Sequence, residues 1–312
     1  LSIGVRPESA LAQQAGLLLT PRGHIVVNSY MQTSDPAIYA VGDVCAAPDP
    51  LTGGLSNVPL GGPANRQGRT CADHMVRGAA ALPYPGSVGT SIVRVFRLAA
   101  GITGLSLRRL KELGKPFCSV LVSGPSHASY FPGSQTVTLK LLWDPETGRV
   151  LGAQAYGADG VDKRLDVMAT ALRGRLTIDD LVHLELSYAP PFGSAKDVVN
   201  LAGFAATNRR DGLLVPTDSL PEVGTAQLVD VRSAAAAAAH PIAGSISIPL
   251  STLRGSLGML HQSLPVVTVC SHGKTSYFAA RILSQHGFHV SSLTGGVDAH
   301  PEPQRSQQIN KR

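Results

Sequence analysis

The sequence predicts a multidomain protein built from α/β and α+β units, and three observations carry that prediction. The chain has 312 residues, about two domains' worth at roughly 150 residues each. Residues 222–299 alternate short β-branched runs with helical stretches, the pattern of a parallel sheet covered by helices on both faces. Residues 88–205 carry four strand-like runs, the last two flanking Asp144-Pro145-Glu146-Thr147-Gly148, and then helical segments. Such a run of strands predicts an antiparallel sheet with helices on one face.

In chain order, Leu1–Val5 reads as a short apolar strand and Glu8–Gly16 as a helix ended by Gly16, which suits the left-handed position after a helix. His24–Val27 is a strand, and Ala37–Val41 is a continuous apolar run ending in Gly42-Asp43, read as a buried strand feeding a loop. Ala64–Val76 has helical periodicity. Strands are then expected at Ser91–Phe96, Phe117–Val122, Thr136–Trp143 and Val150–Tyr156, with Gly148 where the hairpin needs a positive φ. Helices follow at Gly160–Leu172 and Asp197–Asn208. Residues 209–221 are polar and Pro-containing and read as a linker. Beyond them come strands Gln227–Val231, Ser245–Ile248, Val266–Val269 and His289–Leu293, with helices Ala234–Ala239, Ser251–His261 and Lys274–Gln285. The polar, basic residues 300–312 are expected to fray.

Composition excludes several classes. Hydrophobic residues reach 43% against 15% charged, and 33 Gly with 22 Pro suit many short elements rather than a coiled coil. The net charge of +6 is spread without a basic run, which argues against a nucleic-acid partner. No apolar stretch is long enough for a membrane span. The four cysteines are Cys45, Cys71, Cys118 and Cys270, with no C-x-x-C pair. Neither a disulfide framework nor a metal site is expected, and the setting reads as a reducing, cytoplasmic one.

The sharpest chemistry lies in Val269-Cys270-Ser271-His272-Gly273-Lys274-Thr275-Ser276. A strand ends at a cysteine, and a helix starts about four residues later. The N–H groups and dipole of such a helix start stabilise a thiolate or persulfide. With Leu228-Val229-Asp230-Val231-Arg232 upstream and Gly295-Gly296 downstream, residues 222–299 resemble a rhodanese domain. The resemblance implies that Cys270 carries sulfur as a persulfide, cradled by Ser271 through Ser276. Thr275 stands where the family has Arg, removing a charge and an expected partner of Asp230.

A second constellation is Thr33 through Asp43, followed by Asn57-Val58-Pro59-Leu60 and Ala64-Asn65-Arg66-Gln67-Gly68-Arg69. A carboxylate beside a glycine at a strand end suits a ligand hydroxyl, and the helix start beyond Pro63 suits phosphate or flavin oxygen. The phrase resembles the second FAD-binding motif of the pyridine nucleotide-disulfide oxidoreductases, making residues 1–80 the C-terminal remnant of an FAD-binding domain. By that resemblance Asp43 meets the ribityl or pyrophosphate part of FAD, and Leu60 lies near the flavin.

The third pairs His127-Ala128-Ser129-Tyr130-Phe131-Pro132-Gly133 with Leu184-Glu185-Leu186-Ser187-Tyr188-Ala189-Pro190-Pro191-Phe192. Its neighbours are Leu151-Gly152-Ala153-Gln154, Gly160 through Asp166 and Ser194-Ala195-Lys196-Asp197. Together residues 88–208 resemble the dimerisation domain of coenzyme A-disulfide reductases and related NADH oxidases and persulfide reductases. The resemblance implies a homodimer in which Tyr130 and Tyr188 reach the partner's flavin and redox cysteine, with Phe192 close by. Lys163, Arg164 and Lys196 read as a solvated helix face, with contact to coenzyme A phosphates the alternative.

No G-x-G-x-x-G occurs, and the chain starts at Leu1 inside a strand-like run. The expectation is therefore the C-terminal portion of an FAD- and NAD(P)H-dependent coenzyme A-disulfide/persulfide reductase with a fused rhodanese domain. Alone, this portion is expected to keep only sulfurtransferase chemistry. The alternative is a truncated, non-redox dimeric scaffold presenting a sulfur-carrier or inactive rhodanese domain.

Overall fold

The computed structural model describes residues 4–222 and 224–300. The chain divides into two compact units, Leu1–Ser91 with Ile102–Leu105, and Ile92–Gly101 with Ser106–Arg312.

In the first unit α1 (Ala10–Gln14) ends before Gly16, whose φ of 73° makes the left-handed turn expected of it. β1 (Ile25–Val26) pairs in parallel with β2 (Cys45–Pro48), and β3 (Leu55–Ser56) joins β2 antiparallel. The long helix α2 (Gly61–Arg77) follows, starting before the expected Ala64. Val27, Met31, Cys45, Ala47, Cys71 and Tyr84 share one core.

Two strand expectations need correction here. Leu1–Val5 falls partly outside the described residues, and Gly4 and Val5 lie in no strand. Ala37–Val41 is not a buried strand either: Ile38 and Val41 are exposed, and only Tyr39 makes a bridge, to Gln32. The cause is the turn at Asp35, whose carboxylate accepts the Ala37 N–H and whose carbonyl accepts the Ile38 N–H. That turn folds the run back onto Thr33. The sheet strand comes after Gly42-Asp43, at β2.

Next along the chain are β4 (Ser91–Val95), β5 (Leu98–Gly104), α3 (Leu107–Glu112), β6 (Cys118–Pro125), β7 (Thr136–Trp143) and β8 (Val150–Gly157). They form a five-stranded sheet in the order β4-β5-β8-β7-β6, with β6, β7 and β8 antiparallel. β7, paired on both edges, buries Val137, Leu139, Leu141, Leu142 and Trp143. α4 (Val161–Arg173) packs on β8, and α6 (Val198–Arg210) packs on β6 and β7. Between them sits α5 (Ile178–His183), started by a Thr177/Asp180 capping box. β5, α3 and α5 were not expected from the sequence; the Ala-Ala-Gly stretch inside β5 has little β propensity.

The last part is a fully parallel sheet in the order β11-β10-β12-β13-β9, formed by β9 (Pro216–Thr217), β10 (Gln227–Asp230), β11 (Ser245–Ser247), β12 (Val266–Val269) and β13 (Val290–Leu293). α8 (Lys274–Gln285) packs on β12 and β13, and the short helix α7 (Ala234–Ala239) follows β10 in the chain. Adjacent residues of one strand fall in different cores, Val229 with Ile248 and Leu283, Leu228 with Val267 and Leu293. This is the burial on both faces that the continuous apolar strands require.

The segment read as a linker contributes the edge strand β9. The expected helix Ser251–His261 is instead two short 3-10 turns, Leu253–Gly255 and Leu257–Met259. Gly255 and Gly258 punctuate that stretch, and each disfavours helix by about 1 kcal/mol against Ala. Residues 301–312, expected to fray, lie outside the described residues. No helix of the described residues is long and apolar enough to cross a membrane.

Candidate functional site

Cys270 leaves the end of β12 and lies 2% exposed beneath the loop that enters α8. Its sulfur accepts the Gly273 N–H at 3.1 Å, and its S–H points to Ser276 Oγ at 3.4 Å. Gly273, at φ 86°, is the left-handed residue that starts α8 and turns its N–H back onto the sulfur. Ser271 to Thr275 form the rim, with His272, Lys274 and Thr275 exposed and Ser276 buried. The imidazole of His272 lies 3.2 Å from the Asp298 carboxylate.

The loop is closed from the other side by Gly296, at φ 68°. A Cβ there would run into the carbonyl oxygens of Cys270 and Ser271. The Cys270 carbonyl is itself held by the Val297 N–H at 2.9 Å. Gly296→Ala is expected to cost about 1–3 kcal/mol from backbone strain alone, with a lower thermal midpoint and slower modification of Cys270. An unchanged midpoint would mean that the loop yields freely at this point.

Asp230 does not lack a partner for want of the family arginine at Thr275. Arg232, two residues on, donates to both of its carboxylate oxygens, the shortest contact being 2.6 Å, and to the His240 carbonyl at 2.7 Å. Both side chains are buried. Hydrogen bonding to Asp230 pushes the Arg232 guanidinium up, against the opposing effect of burial.

Cys45 is the instructive contrast. It is as buried as Cys270, and its S–H points to two acceptors, the Gly42 carbonyl at 3.1 Å and Gln67 Oε1 at 3.4 Å. Burial is the main cause pushing this thiol up to about 11; a hydrogen bond from its own backbone N–H opposes the shift, and the nearby Asp43 charge adds to it. Cys45 is therefore expected to resist iodoacetamide at neutral pH while Cys270 reacts, read by mass spectrometry of the two peptides. Because the unfolded thiol ionises first, the fold also loses stability as pH climbs from about 9 towards about 11.

Tyr130 and Tyr188, 58 residues apart, are brought together: their hydroxyls lie 3.3 Å from each other. Both are exposed, as is Phe192. The hydrogen bond with Tyr188 pushes the Tyr130 phenol up, so it holds its proton at neutral pH. Lys163 ties down the second loop by donating to the Ser187 and Phe192 carbonyls.

Arg164 belongs neither to a solvated face nor to a phosphate site. It is buried, paired with Asp197 through two hydrogen bonds, and donates to the Ser126 carbonyl at the root of the Tyr130 loop. Lys196 is exposed and lines a cavity of about 270 Å³ with Leu121, Phe204, Lys274 and Phe278, a cavity that Cys270 does not line.

In the first unit Asp43 is exposed, and Asn57 donates to its carbonyl and to that of Cys45. Leu60 is half-buried at the start of α2, which no side chain caps. A free carboxylate and an uncapped Gly61-Gly62 helix start form a donor and acceptor set that fits the hydroxyls and phosphates of a dinucleotide. Among the described residues no group of three His, Cys, Asp or Glu side chains comes together as a metal site.

Three family models match the chain in series. Residues 1–68 match the pyridine nucleotide-disulphide oxidoreductases, 90–198 their dimerisation domain, and 218–300 the rhodanese-like domain. The chain belongs to the pyridine nucleotide-disulphide oxidoreductases, with a rhodanese domain fused behind. A coenzyme A disulfide reductase of Staphylococcus aureus is 32% identical over 204 residues, 65% of this chain and 46% of that protein. Reduced Bacillus anthracis CoADR-RHD is 45% identical with a TM-score of 0.90, covering 95% of this chain and 54% of that one. A NAD-dependent persulfide reductase from A. fulgidus is 37% identical, TM-score 0.88, covering 94% and 54%. This oxidoreductase–rhodanese chain thus spans about half the length of the relatives it matches.

Of its site residues, sequence reasoning missed Arg164 with Asp197 as a buried pair, and Ser292 beneath the cysteine loop. Lys163-Arg164 looks like two exposed charges, and nothing local marks the second as buried. Ser292 is no plainer: it stands beside a second serine in a strand of which Val290 and Ser291 are only half-buried.

Proposed function

We propose that this chain is the C-terminal part of a flavin-dependent NAD(P)H:coenzyme A-disulfide/persulfide oxidoreductase, and that Cys270 transfers sulfane sulfur. The observation that carries the reading is the Gly273 N–H aimed at the Cys270 sulfur from the start of α8. A donor in that position stabilises negative charge on a thiolate and equally on the terminal sulfur of a persulfide.

With thiosulfate, the Cys270 thiolate attacks the sulfane sulfur. A Cys270 S–S bond forms, the old S–S bond breaks, and sulfite departs with its electron pair. The product is a Cys270 persulfide anion. An acceptor thiolate then takes the outer sulfur and returns Cys270 to a thiolate. Such a cysteine needs a free thiol, which a reducing compartment such as the cytoplasm maintains.

In the complete enzyme Asp43 and Leu60 would hold FAD, and NAD(P)H would be the cosubstrate. FAD, when bound, supplies hydride and electron transfer. Tyr130 and Tyr188 would orient or protonate the departing sulfur of a coenzyme A disulfide or persulfide across a homodimer, beside Phe192. The dimerisation-family match and the exposed apolar edge of Ile92, Val93, Val95 and Phe96 support that assembly.

The test incubates the purified chain with thiosulfate and reads its mass. One added sulfur on the Cys270 peptide, released by cyanide or a thiol, is the expected result. A chain that stays unmodified at Cys270 under conditions that load an authentic sulfurtransferase sinks the sulfur-transfer reading.

A further inference from the structure

Beneath the Cys270 loop lies a hydrogen-bonded chain that reaches a residue outside it. Ser292 on β13 donates to Ser276 Oγ at 2.9 Å, Ser276 donates to the Gly273 carbonyl at 3.0 Å, and the Cys270 S–H meets Ser276 Oγ at 3.4 Å. Ser276 is 0% and Ser292 3% exposed, so bulk water does not stand in for any of these partners. Thr268 closes the group by donating to the carbonyls of Ser276 and Ser291, locking the first turn of α8 to β13.

The proton count decides what Ser292 does. With Cys270 as a thiol, Ser276 Oγ accepts two hydrogens, one from sulfur and one from Ser292, and gives its own to Gly273. Once the sulfur carries negative charge it has no proton to give and needs one more donor. Ser276 can supply it by rotating its O–H from the Gly273 carbonyl to the sulfur. That carbonyl is not orphaned, because it also accepts the Tyr277 N–H at 3.2 Å within α8. Ser276 Oγ keeps an accepted hydrogen only because Ser292 still donates to it. Without Ser292, the rotated Ser276 would hold a buried oxygen with no donor, a state that costs free energy.

We infer that Ser292 is a positioning residue for the Cys270 sulfur, acting through Ser276 to support its anionic forms. This rests on the reading of Cys270 as the sulfur-bearing thiol, but it predicts a reactivity that can be measured without any sulfur transfer.

The experiment follows iodoacetamide alkylation of Cys270 in the full chain by peptide mass spectrometry at fixed pH, with Cys118 followed alongside as a control for loosening of the fold. Ser292→Ala is expected to slow Cys270 about five-fold while Cys118 is unchanged. Ser292→Thr, which keeps the hydroxyl, is expected to react like the unaltered chain. The double variant Ser276→Ala with Ser292→Ala is expected to match Ser276→Ala alone, because Ser292 has no route to the sulfur except Ser276. An unaltered rate in Ser292→Ala, a Thr variant as slow as the Ala variant, or multiplicative slowing in the double variant each overturns the inference. If Ser292→Ala slows alkylation but thiosulfate loads nothing, the positioning role stands and the sulfur-transfer reading falls.

Discussion

Cys270→Ser is expected to abolish loading of sulfane sulfur while leaving the fold in place. Serine is close in size, and its oxygen can take over both contacts of the sulfur, accepting from Gly273 and donating to Ser276. A polar group replacing a polar group at a 2% exposed site leaves no buried atom unsatisfied. The thermal midpoint should therefore move by no more than a few degrees, the scale of about 1 kcal/mol. The chemistry, in contrast, is lost outright, because the alcohol is not ionised near neutral pH and forms no persulfide. Intact mass after thiosulfate treatment gives the readout. Sulfur found on Cys45, Cys71 or Cys118 in this variant, in the amount the unaltered chain takes up, would remove Cys270 from the mechanism.

The largest stability effect is expected at Arg164. Its guanidinium joins α4 to Asp197, which also caps α6 by accepting the Val199 N–H, and to the Ser126 carbonyl before the Tyr130 loop. Arg164→Met keeps much of the volume but strands a carboxylate that is 4% exposed. Breaking a buried pair from one side costs about 3–5 kcal/mol, since the remaining charge keeps its desolvation penalty. The thermal midpoint should fall by roughly 10 °C on that scale. Lys163→Met, on the neighbouring residue but with only two carbonyl contacts near the surface, should cost about 1 kcal/mol. Replacing both partners, Arg164→Met with Asp197→Leu, is expected to recover part of the loss, short by about 1 kcal/mol for the lost α6 cap. Equal falls for the Arg164 and Lys163 variants would show that the buried pair has no special weight.

These two predictions draw on different amounts of sequence information. The Cys270 loop was legible because its geometry is local: a strand end, a left-handed glycine and a helix start within a few residues. Local sequence dictates local backbone there, and the helix over Lys274–Gln285 and the strand over Val266–Val269 have the expected ends. Ala37–Val41 misled for the complementary reason. Its composition is that of a buried strand, but the Asp35 turn takes up its hydrogen bonds before a sheet can. The segment 209–221 likewise looks like a linker, and only the free edge of β13 turns Pro216–Thr217 into a strand.

The sequence by itself determined the order of the α/β and α+β units, the strand–loop–helix around Cys270 and the family to which the chain belongs. Each is encoded in spacing along the chain, in hydrophobic period, turn residues and motif. Tertiary structure alone decided the partners. It paired Asp230 with Arg232 rather than with the residue at 275, buried Arg164 against Asp197, brought Tyr130 within 3.3 Å of Tyr188, and set Ser292 under Ser276. Three of these four contacts join residues between 16 and 58 positions apart, and the short-range Asp230–Arg232 pair is decided by its burial. A charge or hydroxyl carries no mark in the sequence of whether it will be buried. Its partner is chosen when packing removes water and leaves each buried polar group one neighbour able to satisfy it.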